Sequence, residues 1–204
     1  MYGTTWGIRG RGSLTLMSGE PTSPHSVVGA VPAETDCSLR SATAADASLV
    51  HALYVGNPEY FETISIPIPT QDEVATELAA AERDERRVVE LVCVAEVSGV
   101  ALAEGLHDAG CGRWVVGYLD YKLDYPEVGD ATVNLLLVHQ AARDRGLGRT
   151  VVQRLEARLT GRVKRLLASI YGRNVGARRF WEGLGYRYAI DARPVVEWYG
   201  KTLP

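Results

Sequence analysis

Between His139 and Thr150 three arginines, Arg143, Arg145 and Arg149, stand among two glycines, Gly146 and Gly148. These residue types suit a phosphorylated ligand. Glycine lets the backbone take positive φ and come close to a bound group. The N-terminus of a helix offers free N–H groups and the positive end of a dipole, and arginine matches phosphate oxygens in charge and shape. A nest of this kind fits a diphosphate. Two common phosphate loops are excluded. No Lys-Ser or Lys-Thr pair follows the last glycine, as a P-loop requires, and Val151 stands where a dinucleotide fingerprint needs its third glycine. The same composition would also serve a solvated loop capping a helix.

The neighbouring residues give the elements that must hold this turn. Thr132–Val138 (TVNLLLV) is an apolar run that reads as a strand. From about Leu147 to Leu159, Leu147, Val151, Leu155 and Leu159 form one apolar stripe with charges opposite, which predicts a helix. Strand, glycine turn and helix therefore follow one another directly. Upstream, a short strand through Leu39 leads to an N-cap near Thr43 and a helix with Leu49, Val50 and Leu53. Residues 57–70 read as a loop or broken helix with three prolines, and residues 71–84 as a helix. RVVELVCVAEV, GRWVVGYLDYKL and ATVNLLLV read as successive antiparallel strands. RLLASIYG reads as a strand, NVGARRFWEGLG as a helix closed by Gly185, and YRYAI and PVVEWYGKTL as final strands.

A second segment joins the first. In YGRNVGARRFWEGLGYR, residues 171–187, Asn174 is followed by Ala177, the aromatic pair Phe180–Trp181, Gly185 and Tyr186. With Arg143-x-x-Gly146-x-Gly148 five residues beyond Val138, the chain resembles the GNAT acetyltransferase superfamily over roughly residues 39–197. The resemblance implies an α/β fold (mixed α+β) with a central, mostly antiparallel sheet splayed around the cofactor and helices on both faces. It implies acetyl-CoA as co-substrate, a small-molecule or peptide amine as acceptor, and allows a homodimer. It also implies a backbone role for the strand, with the Leu136 amide polarising the thioester, Val138 bonding the pantetheine arm, and Leu137 between them among the cofactor-binding residues. Arg143, Arg145, Gly146, Leu147, Gly148, Arg149 and Thr150 would hold the diphosphate, chiefly through main-chain amides. Asn174, Phe180 and Trp181 would line the cofactor further down. Their alternatives are a helix cap for Asn174 and core packing for the aromatics, with packing favoured for Phe180 and a mixed role for Trp181.

Two positions depart from the superfamily pattern. Many members carry a Tyr at the second aromatic position as the acid for the leaving thiolate. Here it is Trp181, whose indole donates a hydrogen bond but is no acid near neutral pH. Tyr171 or water would have to substitute. Some members carry a Glu base six residues before Val138. Here Thr132 occupies that place and Asn134 follows on the same face, so neither supplies a base. Asp130, expected in a surface turn, Glu104 and His139 are lesser candidates. A non-catalytic acyl-CoA-binding sensor is the alternative these departures leave open.

Bulk properties agree with one globular domain. The chain has 204 residues, 46% hydrophobic and 23% charged, and its apolar runs are far below membrane-spanning length. Cys37, Cys93 and Cys111, an odd count with no metal-type spacing, read as reduced thiols of a cytoplasmic protein. The four histidines show no metal pattern either, so no metal is expected. The net charge of −3 conceals an asymmetry: residues 1–139 hold 8 Lys+Arg against 20 Asp+Glu, and residues 140–204 hold 14 against 5. A basic C-terminal part suits coenzyme A phosphates. Nucleic acid is not favoured, because no aromatic–basic interleaving accompanies the arginines. Residues 1–36, rich in Gly, Ser, Thr and Pro, read as a flexible tail with no secretory leader, ahead of a single domain over 37–204, and Met17 is an alternative start. The acceptor pocket is expected from residues 57–70 and 120–126.

Overall fold

The computed structural model describes residues 36–97, 99, 101–193 and 196–203, all within one compact unit of residues 33–204. The expectations for the tail and for Met17 fall, apart from Asp36, outside the described residues. Strand β1 (Cys37–Ser41) leads to a 3-10 turn capped by Thr43, then to α1 (Ala47–Val55), α2 (Pro58–Ile64) and α3 (Gln71–Arg83). Strands β2 (Arg87–Val94), β3 (His107–Asp108), β4 (Arg113–Leu123) and β5 (Asp130–Val138) follow. The chain closes with α4 (Leu147–Leu159), β6 (Arg165–Tyr171), α5 (Val175–Glu182), β7 (Arg187–Arg193) and β8 (Val196–Thr202).

The strands form one sheet in the order β1-β2-β4-β5-β6-β8-β7, with β3 paired to β4. Every neighbouring pair is antiparallel except β5 and β6. Strand alternation builds a core on each face. In β2, Val89, Leu91 and Cys93 face one core while Val92 and Val94 face the other. The first core takes Val50 and Leu53 of α1, Phe61 of α2, and Val74 and Leu78 of α3. The second takes the predicted stripe of α4, with Trp181 of α5 and Tyr186. The α4 stripe is buried throughout, which accounts for why this segment forms a helix despite its many arginines.

Three local expectations are refined. The proline-rich segment does contain a helix, because Pro58 sits in its first turn, where a missing N–H costs nothing. Its end at Ile64 precedes Pro67 and Pro69. The last helix stops at Glu182 with Gly183 as cap, and Gly185 (φ +91°) makes the following turn rather than the helix end. Asp130 lies in no surface turn. It is buried at the start of β5 and pairs with Arg165 at 2.6 Å.

Part of the charge asymmetry is used up in the fold. Arg158 reaches Glu90 at 2.8 Å and Arg165 reaches Asp130, so basic residues of the C-terminal part neutralise buried acids of the N-terminal part. Among the described residues no helix is long and apolar enough to cross a membrane.

Candidate active site

Strands β5 and β6 run parallel and paired from Asp130↔Arg165 to Val133↔Ala168. Beyond that point, among the described residues, β5 is held by β4 and β6 by β8, and the two part. The cause is visible in the β4–β5 register. Asp120 is opposite Leu135 and Tyr121 is opposite Val133, so Asn134 is an extra residue in β5. Such a bulge bends and twists its strand. Residues 130–133 are buried, whereas 134–136 and 138 are half-buried, as a strand leaving its neighbour should be.

Backbone direction along the parted half follows from one hydrogen bond. His139 N–H donates to Val116 O at 2.8 Å, toward β4. Main-chain groups alternate edges along a strand. Leu137 therefore faces β4 as well, and the N–H groups of Leu136 and Val138 face the opening. The Val138 carbonyl agrees, since it accepts from Arg143 Nε at 3.0 Å rather than from a strand. The Leu137 side chain is buried in the α1–α3 core and its main-chain groups face β4, so, against the expectation for this residue, it turns neither toward the opening.

The turn beyond β5 is short and unusual. His139 caps a 3-10 turn, its Nδ1 accepting from Ala141 N–H at 3.2 Å. Asp144 (φ +60°) and Gly146 (φ +78°) are left-handed, and α4 begins at Leu147. Gly146 is the N-cap, and among the described residues no side chain caps the helix there. A Cβ at Gly146 would meet nothing within 4 Å. The first-turn N–H groups of Leu147, Gly148 and Arg149 have no intrahelical acceptor by helix geometry, and Arg145 and Arg149 are exposed beside them. The Thr150 amide differs: it already bonds Gly146 O at 3.0 Å, inside the helix.

Other expected residues fall into distinct places. A Cβ on Gly148 would lie 3.2 Å from Phe180 Cε2 and 3.9 Å from Val138 Cγ2. The absence of a side chain at Gly148 is thus what lets the half-buried Phe180 ring pack across the turn. Trp181 is 5% exposed and stacks edge-on against the buried Tyr186, so it belongs to the core and not to a ligand surface. Phe180 packs against the core, as expected, and also reaches the Gly148 turn, whereas of the mixed role expected for Trp181 only the packing part is seen. Asn174 caps α5, its Oδ1 accepting from Ala177 N–H at 2.8 Å.

Arg143 has protein partners. Besides Val138 O, its Nη2 donates to Asn57 Oδ1 at 2.6 Å, and its Nη1 lies 2.5 Å from Glu59 Oε1 in an ion pair. Its guanidinium thereby fastens the glycine turn to the start of α2, and its own amide bonds Gln140 O at 3.3 Å. Diphosphate contact by this residue, expected from the sequence, competes with all of these.

The parted strands border a cavity of about 450 Å³. Tyr54, Tyr60, Phe61, Tyr118 and Tyr171 give it aromatic walls, and Asn134 and Leu135 place the bulge on its edge. The expected 57–70 segment lines it through Tyr60, Phe61, Ile64, Ile66 and Pro69, whereas only Asp120 of the 120–126 segment does. A polar chain that sequence reasoning missed crosses the wall. Arg87 donates to Asp120 from Nε and Nη2, and Nη2 also bonds Glu77 at 2.8 Å. Asn134 Nδ2 donates to Asp120 Oδ1 at 3.0 Å. A polar Asn inside TVNLLLV and an Asp inside GYLDY are the only signals of it in the sequence.

Thr132, in the expected base position, is buried and donates to Tyr125 O at 2.6 Å. Glu104 lies in an exposed turn. His139 is buried, and burial, then the Arg143 charge, hold its imidazole below the ordinary value of 6.5. With Nδ1 accepting, the proton sits on Nε2, which faces Gly56. The neutral ring is favoured in the folded state. That contribution is intact above pH 6.5 and is lost as the pH falls from there through the depressed folded-state value. His139→Asn keeps a cap acceptor and cannot titrate. Between about pH 7.5 and 5.5 it should lose less unfolding free energy than wild type, and parallel losses in denaturant titrations would refute the assignment.

The profile of the acetyltransferase (GNAT) family matches residues 66–186. Among solved structures, an acetyltransferase from Thermus thermophilus is 36% identical, with a TM-score of 0.71, covering 82% of this chain and 97% of its own. An aminoglycoside acetyltransferase, AAC(6')-Ib, solved in complex with coenzyme A, is 16% identical with a TM-score of 0.60, covering 82% and 95%. A Salmonella typhimurium acetyltransferase that modifies the N-terminal serine of a 50S ribosomal subunit protein is 12% identical with a TM-score of 0.63, covering 82% and 95%. Comparison with curated protein sequences gave no match.

Proposed function

Because the chain belongs to the acetyltransferase (GNAT) family, we propose that it transfers acetyl directly from acetyl-CoA to the primary amine of a small molecule or peptide in the cytoplasm. The observation that carries this reading is the fork between β5 and β6, with the Gly146 turn at its mouth. The diphosphate lies against the first-turn amides of α4 and the exposed Arg145 and Arg149. The pantetheine arm runs along the open edge of β5, over Phe180. The Leu136 N–H polarises the thioester oxygen, where negative charge grows as the amine attacks.

The acceptor occupies the aromatic cavity. Its wall holds two carboxylates, Glu77 and Asp120, against one guanidinium, Arg87, and this excess of negative charge attracts a cationic amine. An alkylammonium of pKa about 10.4 must lose its proton before attack. Asp120 is committed to Arg87 and Asn134, while the Glu77 side chain is 54% exposed, so Glu77 is the carboxylate that can pass the proton to water. Tyr171, on the cavity wall and partly exposed, substitutes for the acid that Trp181 does not provide.

Titration calorimetry with acetyl-CoA and CoA tests the binding step: both should bind at micromolar to low millimolar levels, and silence at millimolar ligand would end the reading. Burial of Trp181 favours a second reading, an acyl-CoA sensor without turnover. Release of CoA thiol across a panel of amines separates the two, since turnover with any acceptor excludes a pure sensor.

A further inference from the structure

At the other end of β2 from Arg87, Cys93 is fully buried under the α1–α3 core. The exposed Cys111 lies in the turn between β3 and β4, with Asp108 three residues before it. One ligand atom from each of Cys93, Asp108 and Cys111 lies within 4.8 Å of the other two. Counting only Cys and His along the sequence misses this group, because its third member is a carboxylate and Cys93 is distant in the chain.

The turn is shaped to bring Asp108 and Cys111 together. Gly112 N–H donates to Asp108 O at 2.8 Å, and Gly112 has φ +63°, so residues 108–112 close into one tight loop. Two residues separate the ligands, the spacing of paired zinc ligands in a loop. Cys111 Sγ is already 3.2 Å from Asp108 Oδ2. The carboxylate is oriented from outside the group. Gly110 N–H donates to Oδ1 at 2.9 Å, and Arg40 Nε donates to Oδ2 at 2.6 Å. Arg40 is itself anchored on Asp46 at 2.7 Å. Orienting bonds of this kind are what a ligating carboxylate needs behind it.

We propose that Cys93, Asp108 and Cys111 form a zinc site that pins β2 to the β3–β4 turn, with a fourth position open to solvent beside Cys111. Sulfur and carboxylate ligands with tetrahedral geometry select Zn²⁺ over Mg²⁺ or Ca²⁺. Zinc bonds of about 2.3 Å to sulfur and about 2.0 Å to oxygen require ligand atoms roughly 3.5–3.8 Å apart, which the present separations reach by shifts of about 1 Å or less. Binding releases one proton from each thiol. Zn²⁺ then balances two of the three negative charges of the thiolates and the carboxylate, and the third lies against the Arg40 guanidinium, which is shared with Asp46. The site lies outside the proposed acetyl-transfer machinery and stands independently of that reading.

Untagged full-length protein, reduced, loaded with Zn²⁺ and dialysed against metal-free buffer, should retain about one equivalent by elemental analysis. Co²⁺ in its place should give intense near-ultraviolet thiolate-to-metal absorption. Cys111→Ser, at an exposed position that the fold tolerates, should weaken Co²⁺ binding at least about 10–100-fold and remove most of that band. The proposal is overturned by any of three results: no retained zinc and no cobalt band, metal binding undiminished in Cys111→Ser, or a Cys93–Cys111 disulfide in protein that takes up no metal after reduction.

Discussion

Leu136→Pro should bind CoA within a few-fold of wild type while kcat falls about 10²–10³-fold, the usual loss when one oxyanion donor is removed. Proline in the middle of a sheet normally breaks a ladder bond, but it is tolerated where the N–H faces away from a neighbouring strand. Leu136 meets that condition: His139 bonds back to Val116, and the alternation sets the Leu136 amide toward the fork. The substitution therefore deletes the proposed donor and leaves the β4 pairing in place. Leu136→Ala is the control, since it shortens the half-buried side chain and keeps the N–H. Thiol release from acetyl-CoA, with the acceptor that the amine panel identifies, gives kcat, and calorimetry gives CoA affinity. Near-normal turnover by a folded Leu136→Pro protein would remove the Leu136 amide from the mechanism.

Arg87→Ala should cost about 3–5 kcal/mol of unfolding free energy, the range for stripping a buried charge of its partner. Asp120 is 3% exposed and, among the described residues, takes its counter-charge from Arg87, with Asn134 contributing a neutral amide. Without the guanidinium the carboxylate stays in the cavity wall with one hydrogen-bond donor. Adding Asp120→Asn to Arg87→Ala should recover much of the loss, because a neutral amide needs no counter-charge. Urea titrations of the single and double variants measure both effects. A single-variant loss below about 1 kcal/mol would place the Asp120 carboxylate in solvent contact instead.

The two predictions rest on features of different visibility in the sequence. The strand, turn and helix around Gly146 are readable because their signals are local: an apolar run, two glycines and a stripe of helical period. The edge that Leu136 presents depends on the Asn134 bulge, hinted at by one polar residue in an apolar run. The Glu77–Arg87–Asp120–Asn134 chain is not readable. Its members come from α3, β2, β4 and β5, and each alone looks like an ordinary charged or polar residue of an alternating element. Arg143 shows the same limit. Its motif position suggests phosphate, but its partner Asn57 is 86 residues away. For Phe180 the sequence suggests packing, which the structure bears out, and for Trp181 it suggests a mixed role of which only packing is seen. Adjacent residues on a helix differ by about 100° in direction, and only the packing of Tyr186 decides which one turns inward.

A sheet that separates along its middle is an unfinished seam. Atoms lying in that seam become part of the molecule's own packing, and a compound that fits only the folded chain raises the melting temperature by mass action. At roughly a hundredfold excess over Kd the gain is about 2.7 kcal/mol. Heat resistance can therefore report occupancy of the seam and its adjoining chamber without any turnover, and a thermal screen can sort acyl carriers and amines before a reaction has been seen.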